Sequence, residues 1–226
     1  MRYSGAEGSA LIAALLALLL MSALGAALVA VSSSEVMIAA NFRNGLEALH
    51  AADAVAERAM SDLAVLEDWN PVLDGTVRST FADGPPAGTR LLPDGATLDL
   101  SRVQNLANCR KAAACSDADM DAVTRDRPWG ANNPRWQLYA YGPLSEVLPG
   151  AFVDSPFYVI ALVGDDPAEN DNDPTRDGIG EDNDGTGIVV LRAEAFGPRG
   201  VHKVVEVTVG RTDRGGIREV SWCEVR

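Results

Sequence analysis

Carboxylates crowd one short stretch of this chain: Asp165, Asp166, Glu169, Asp171, Asp173, Asp177, Glu181, Asp182 and Asp184 lie between Gly164 and Gly185, with only Arg176 of opposite sign. Mutual repulsion among so many anions opposes compaction unless a cation sits among them, and hard oxygen donors with glycine turns are what calcium uses. The best frame starts at Asp173 and puts Asp177, Glu181 and Asp184 at the fifth, ninth and twelfth positions, with Gly178 at the sixth, as in an EF-hand loop. Thr175 and Asp184 depart from that pattern, and neither flank reads as a helix. The expected calcium ligands are therefore Asp173, Asp177, Glu181 and Asp184, and a solvated hairpin loop over 164–185 is the alternative.

Sulfur chemistry is the second candidate. Cys109 and Cys115 bracket a short loop that suits a disulfide in an exported protein, and Cys223 is left over, its pairing open. Zinc is disfavoured because no Cys-x-x-Cys pair is present and the histidines are only His50 and His202. His50, on the long helix, and His202, at the start of a strand, read as partly exposed structural residues, and no phosphate loop or nucleophile elbow occurs, so the chain reads as a non-enzyme.

With 226 residues and a formal charge of -13 the chain can fold one good core, and its acidity argues against a nucleic-acid partner. The apolar residues are unevenly spread. From Ser9 to Ser34 there is no charge, and Leu11 to Val31 is an unbroken apolar run. A helix needs roughly 20 such residues to cross a bilayer, so residues 9–31 are expected to span one. A signal peptide would show a shorter apolar stretch after a basic leader, whereas Arg2 here is offset by Glu7.

The apolar run does not end in a turn. Glu35 to Leu66 contains no proline, and Phe42, Leu46, Leu49, Ala52, Ala56, Ala59 or Met60, and Leu63 recur in steps of three and four, marking one face of a helix. One helix over 9–70 is expected, stopped at Trp69-Asn70-Pro71. Its first half is apolar all round and its second half carries one stripe for a head formed by 71–226. A single-pass protein with a juxtamembrane coiled coil is the bland alternative.

The residues that carry this pattern also resemble a known family. Gly8-Ser9-Ala10-Leu11-Ile12 is similar to the prepilin peptidase site of type IV pilins, and Ala39-Ala40-Asn41-Phe42-Arg43-Asn44 followed by Ala48-Leu49-His50-Ala51-Ala52-Asp53-Ala54 resembles the N-terminal module of PilX-type minor pilins. The likeness covers about residues 5 to 65. It implies a leader over 1–8, cleavage between Gly8 and Ser9, and methylation of Ser9. Major pilins carry a glutamate where this chain has Ala13. That carboxylate can neutralise a neighbouring subunit's N-terminal ammonium inside the membrane, so its absence points to a minor subunit.

For the head, residues 70–108 read as loop with a small hairpin, being dense in Asp-Gly and Pro turns. Strands are expected at Trp136 to Tyr141, with Leu138 and Ala140 on one face, at Phe157 to Val163, Gly187 to Phe196 and Lys203 to Val209, with Ile217 to Val225 as a fifth. These would make an antiparallel meander packed on the helix stripe, an α+β, type IV pilin-like fold. The Trp129 to Trp136 and Arg192 to Gly200 stretches also resemble PilX-type heads, less specifically. The tryptophans read as packing residues.

The resemblance implies a minor pilin that primes assembly of a type IV pilus and sits at or near its tip. Its partners would be other minor and major pilins through the N-terminal helix, and a tip adhesin. It would reside in the bacterial inner membrane with its head in the periplasm, then in the extracellular pilus. A type II secretion tip pseudopilin and a single-pass envelope binding module with a calcium loop are the alternatives.

Overall fold

The computed structural model describes residues 6–125, 134–148, 150, 154–169, 173–178, 185–212 and 215–225. It forms two compact units, residues 1–43 and residues 44–226. Helix α1 runs over Ala6–Leu63 without a break.

In the second unit, α1 is followed by the short helix α2 (Asn70–Leu73), strands β1 (Thr89–Leu91) and β2 (Thr97–Asp99), helices α3 (Leu100–Cys109) and α4 (Asp117–Arg125), and strands β3 (Gln137–Pro143), β4 (Tyr158–Asp165), β5 (Ile188–Gly197), β6 (Val201–Arg211) and β7 (Ile217–Val225). Strands β3 to β7 form one antiparallel sheet in chain order, and β1 with β2 makes a separate small hairpin. The fold is α+β, and all five expected strands of the sheet are present.

The helix ends earlier than proline alone would require. It stops at Leu63, and Pro71 sits in the first turn of α2, where a missing N–H costs nothing. At that end the Leu63 carbonyl accepts twice, from the Leu66 N–H at 3.2 Å and from the buried indole N–H of Trp69 at 3.0 Å, which ties the last turn of α1 to the core.

The buried stripe of α1 also differs from the periodicity. Ala48, Ala51, Ala52, Val55, Ala56, Ala59, Met60 and Leu63 are buried, whereas Leu46 is 46% exposed and Phe42 is 75% exposed. Alanines let the helix axis approach the sheet, and Val159, Ala161, Val163, Leu191, Ala193, Val205, Val207 and Val209 complete that layer. Burying β-branched and small side chains at this density is the main stabilising term of the unit.

The sheet is covered on its other face too. Leu100 and Val103 of α3, with Leu92 and Leu98 of the β1–β2 hairpin, pack on Trp136, Leu138, Tyr141, Tyr158, Ile160, Leu162 and Val190. Strand β4 is consequently buried at every position. Helix α3 starts where the sequence suggested loop: Asp99 caps it, its carboxylate accepting from the backbone N–H groups of Ser101 and Arg102 at 2.9 and 3.2 Å. The pairing of β3 shifts register between Leu138 and Ala140, so Leu138 joins the α3 side and Ala140 the α1 side. The expectation that these two share a face fails because of that bulge, which adds Tyr139 to the strand.

Candidate functional site

Residues 9–31 of α1 present an apolar surface in every direction. Leu11, Ile12, Leu15, Leu16, Leu19 and Met21 are all at least 59% exposed, and Val29 reaches 72%. Ser22 and Ser34 donate their hydroxyls to the carbonyls of Leu18 and Ala30 at 2.8 and 3.0 Å, so the hydroxyls are satisfied within the helix. α1 is the one described helix long and apolar enough to cross a membrane. Gly8 and Ser9 lie in its first turns, and Ala13 is exposed along it.

The acidic end of the sheet brings Asp177 of the sequence frame together with two carboxylates outside it. Asp165 closes β4, and one carboxylate oxygen each from Asp165, Glu169 and Asp177 lie within 4.8 Å of one another. Asp165 and Glu169 are only 1% and 7% exposed, with Asp166 beside them at 8%. Asp177 is held from three sides. Its backbone N–H donates to Asn70 Oδ1 at 2.8 Å, its own Oδ1 accepts from the Gly187 N–H at 3.0 Å, and Gly185 passes over it so closely that a Cβ there would lie 2.3 Å from Oδ1. Gly185 also adopts φ +79°, a conformation glycine allows freely.

Burial raises the pKa of Asp177, an effect only partly offset by the backbone N–H groups of Gly187 and Thr186 and the charge of Arg211, with Asp166 adding to the rise. Three carboxylates in this arrangement are oxygen donors of the kind a hard divalent cation takes. Asp173 does not join them: its Oδ1 accepts from the N–H and hydroxyl of Thr175 at 3.1 and 2.6 Å, closing a turn. Glu181 and Asp184 lie outside the described residues. Asp165 and Glu169 escaped the sequence frame because their contribution depends on where β4 ends, not on loop spacing.

Cys109 and Cys115 form the expected disulfide, and Cys223 is a free, exposed thiol on β7. The bridge follows the C-terminus of α3, whose Asn108 clamps the start of β3: its Oδ1 accepts from the Trp136 N–H at 2.8 Å and its Nδ2 donates to the Trp136 carbonyl at 3.1 Å.

His202 has company that the sequence did not reveal. Its ring stacks on Phe196 with centroids 4.3 Å apart, and its Nε2 lies 2.8 Å from Glu194, whose other oxygen accepts from Arg192 Nε at 2.7 Å. Arg192 also reaches Glu206 at 2.9 Å. Burial by itself would raise the pKa of Glu194, but the hydrogen bond with His202 and the charge and hydrogen bond of Arg192 outweigh it and hold the pKa low. The group borders a cavity of about 440 Å³ under α3, with Leu98, Val103 and Arg102 on its wall. His50 is exposed on α1. Trp69 and Trp136 are buried as expected, Trp222 is 43% exposed, and Trp129 lies outside the described residues.

Comparison with family models, curated proteins and solved structures finds no match to this chain.

Proposed function

We propose that this chain is a membrane-inserted filament subunit of the type IV pilin class, a PilX-type minor pilin that primes pilus assembly and sits at or near the tip. The observation that carries the reading is the division of labour along α1. Residues 9–31 are apolar and exposed all round, whereas the stripe over 48–63 is buried against an antiparallel sheet through alanines and valine. An all-apolar surface is stable in lipid or among like helices, and a one-sided stripe is stable against a head.

The N-terminal residues agree with that use. Gly8-Ser9 precedes the apolar run as a prepilin cleavage site does, and Ser9 would carry the methyl group. Ala13 places no carboxylate within the run to meet a neighbour's ammonium, so the subunit gains nothing from stacking in a shaft, which favours a low-copy position. In this reading the helix contacts other minor and major pilins, a tip adhesin is a further partner, and the protein passes from the inner membrane, head in the periplasm, to the extracellular pilus. Binding and positioning, not catalysis, are its work.

Mass spectrometry of the mature N-terminus tests this. Methylated Ser9 is the expected result. An intact Met1 would indicate an ordinary anchored protein, and a start near Val31 would indicate secretion; either would overturn the proposal.

A further inference from the structure

The two edges of the sheet are finished differently. Along β3, the chain's own segment 79–83 completes the edge by main-chain bonds: Ser79 N–H to the Tyr139 carbonyl at 3.0 Å, Tyr141 N–H to the Phe81 carbonyl at 3.0 Å, and Asp83 N–H to the Tyr141 carbonyl at 2.9 Å. Along β7, no described backbone hydrogen bond beyond the β6 ladder involves residues 217–223. The side chains of 218–223 are exposed on both faces, with Val220 at 48% and Trp222 at 43%, and Ile217 is half-buried against the core. An edge of this kind presents a row of N–H and C=O groups whose natural complement is another extended backbone.

Register assigns the side chains that would flank an added strand. Residues directly opposite one another share a face. Ile217, Glu219, Trp222 and Glu224 pair with Arg211, Val209, Val207 and Val205, and those three valines are in the layer under α1, so this set faces the helix side. Trp222 confirms the direction by donating its indole N–H to Asp53 Oδ1 of α1 at 2.9 Å. Between Glu219 and Glu224, then, the helix-side flank holds the carboxylates of Glu219 and Asp53, while Glu224 pairs with Lys203. The opposite flank carries Arg218, Ser221, Cys223 and Val225.

We propose that β7 is a docking edge for an extended segment of a second protein, which adds to the sheet as a sixth strand and turns basic and apolar side chains toward α1. The apolar residues would lie beside Trp222 and the basic ones beside Glu219 and Asp53. Main-chain bonding supplies affinity and this flank supplies selectivity. The proposal stands on the sheet and its charges and does not depend on the filament reading.

The test uses the full chain in detergent micelles and hydrogen–deuterium exchange resolved over 217–225. The probe is a short peptide with threonine at every second position and lysine alternating with leucine between them. It is expected to slow exchange in 217–223 while leaving β3 unchanged, and to bind about fivefold or more tightly than the same peptide with glutamate for lysine, given the modest worth of exposed charge pairs. A central proline in the probe is expected to abolish protection. Glu219→Lys, an exposed substitution, is expected to reduce the preference for lysine. Absence of protection by the lysine probe, protection that survives the proline, or equal binding of the lysine and glutamate probes would overturn the proposal. So would protection that rises with the chain's own concentration without any probe, because the edge would then be filled by a second copy.

Discussion

Trp69 and Leu63 are joined by a buried hydrogen bond from the indole N–H to the helix carbonyl at 3.0 Å, and Arg211 lies 4.2 Å over the same indole ring. One side chain therefore ends α1, fills the core at 1% exposure and holds the end of β6. Trp69→Phe keeps most of the apolar volume and removes one of the two hydrogen bonds to the Leu63 carbonyl, which retains the Leu66 N–H, so it is expected to cost about 0.5–1.5 kcal/mol. Trp69→Ala adds a cavity and should cost about 3–5 kcal/mol. Denaturant unfolding followed by far-UV circular dichroism measures both, and a Trp69→Phe variant as stable as wild type would show that the hydrogen bond matters little.

Glu194 sits between Arg192 and His202 with its side chain 5% exposed. Removing it with Glu194→Ala leaves the Arg192 charge with one partner fewer and is expected to cost about 3 kcal/mol. Its folded pKa is depressed, so its stabilising contribution is complete above the unfolded value near 4.5 and is lost as pH falls through the folded value. Wild type should lose Tm over that acidic window more steeply than Glu194→Gln, and parallel profiles would contradict the assignment.

Asp177 behaves in the opposite sense. Its folded pKa is raised by burial, so ionisation costs stability once pH passes the unfolded value, and the cost is complete above the folded one. Asp177→Asn keeps an oxygen for the Gly187 N–H and removes the charge beside Asp165 and Glu169. With chelator present at neutral pH it should raise Tm by roughly 1–2 °C, a small gain because the group is partly solvated. The gain should shrink on acidification, and a loss of stability at neutral pH would refute the argument.

The Cys109–Cys115 bridge closes a loop with a sequence separation of 6. For so short a loop the chain-entropy estimate is about 2 kcal/mol, and replacing both cysteines with serine is expected to cost about that much. Alkylation of the folded, unreduced protein should label Cys223 alone, since it is the exposed thiol.

Gly197 marks where β5 meets Phe157. A Cβ at that position would lie 2.2 Å from the Phe157 ring, although its φ of -134° is ordinary extended backbone. Gly197→Ala must push the ring out of a well-packed layer, at an expected cost of about 1–3 kcal/mol. Gly88→Ala, with open space around it, tests backbone conformation alone, because its φ is +87°.

What sequence by itself determined was whatever depends on runs and periods. The charge-free stretch from Ser9 to Ser34 and the proline-free continuation to Leu66 dictate one long helix, because no local signal interrupts it. Alternation such as Val205-Glu206-Val207-Thr208-Val209 dictates strands, and the short connections after Gly197 and Arg211 dictate antiparallel pairing of β5 with β6 and of β6 with β7. The six-residue spacing of Cys109 and Cys115 pointed to the bridge for the same local reason.

Tertiary structure decided everything that depends on which surfaces meet. Leu46 fits the helical period yet is 46% exposed, while Ala48 and Ala51 are buried, because packing on the sheet, not the period, selects which face of the helix is covered. Arg192 and Glu194 alternate like residues of a wet face, and only the packing of α3 over that face makes Glu194 a buried carboxylate in need of Arg192 and His202. Asp165, Glu169 and Asp177 are brought together by the end of β4 and the fold-back at Gly185, not by the twelve-residue frame that began at Asp173. Spacing along a chain fixes local periodicity; distance between carboxylates in separate turns is set by the core that positions those turns.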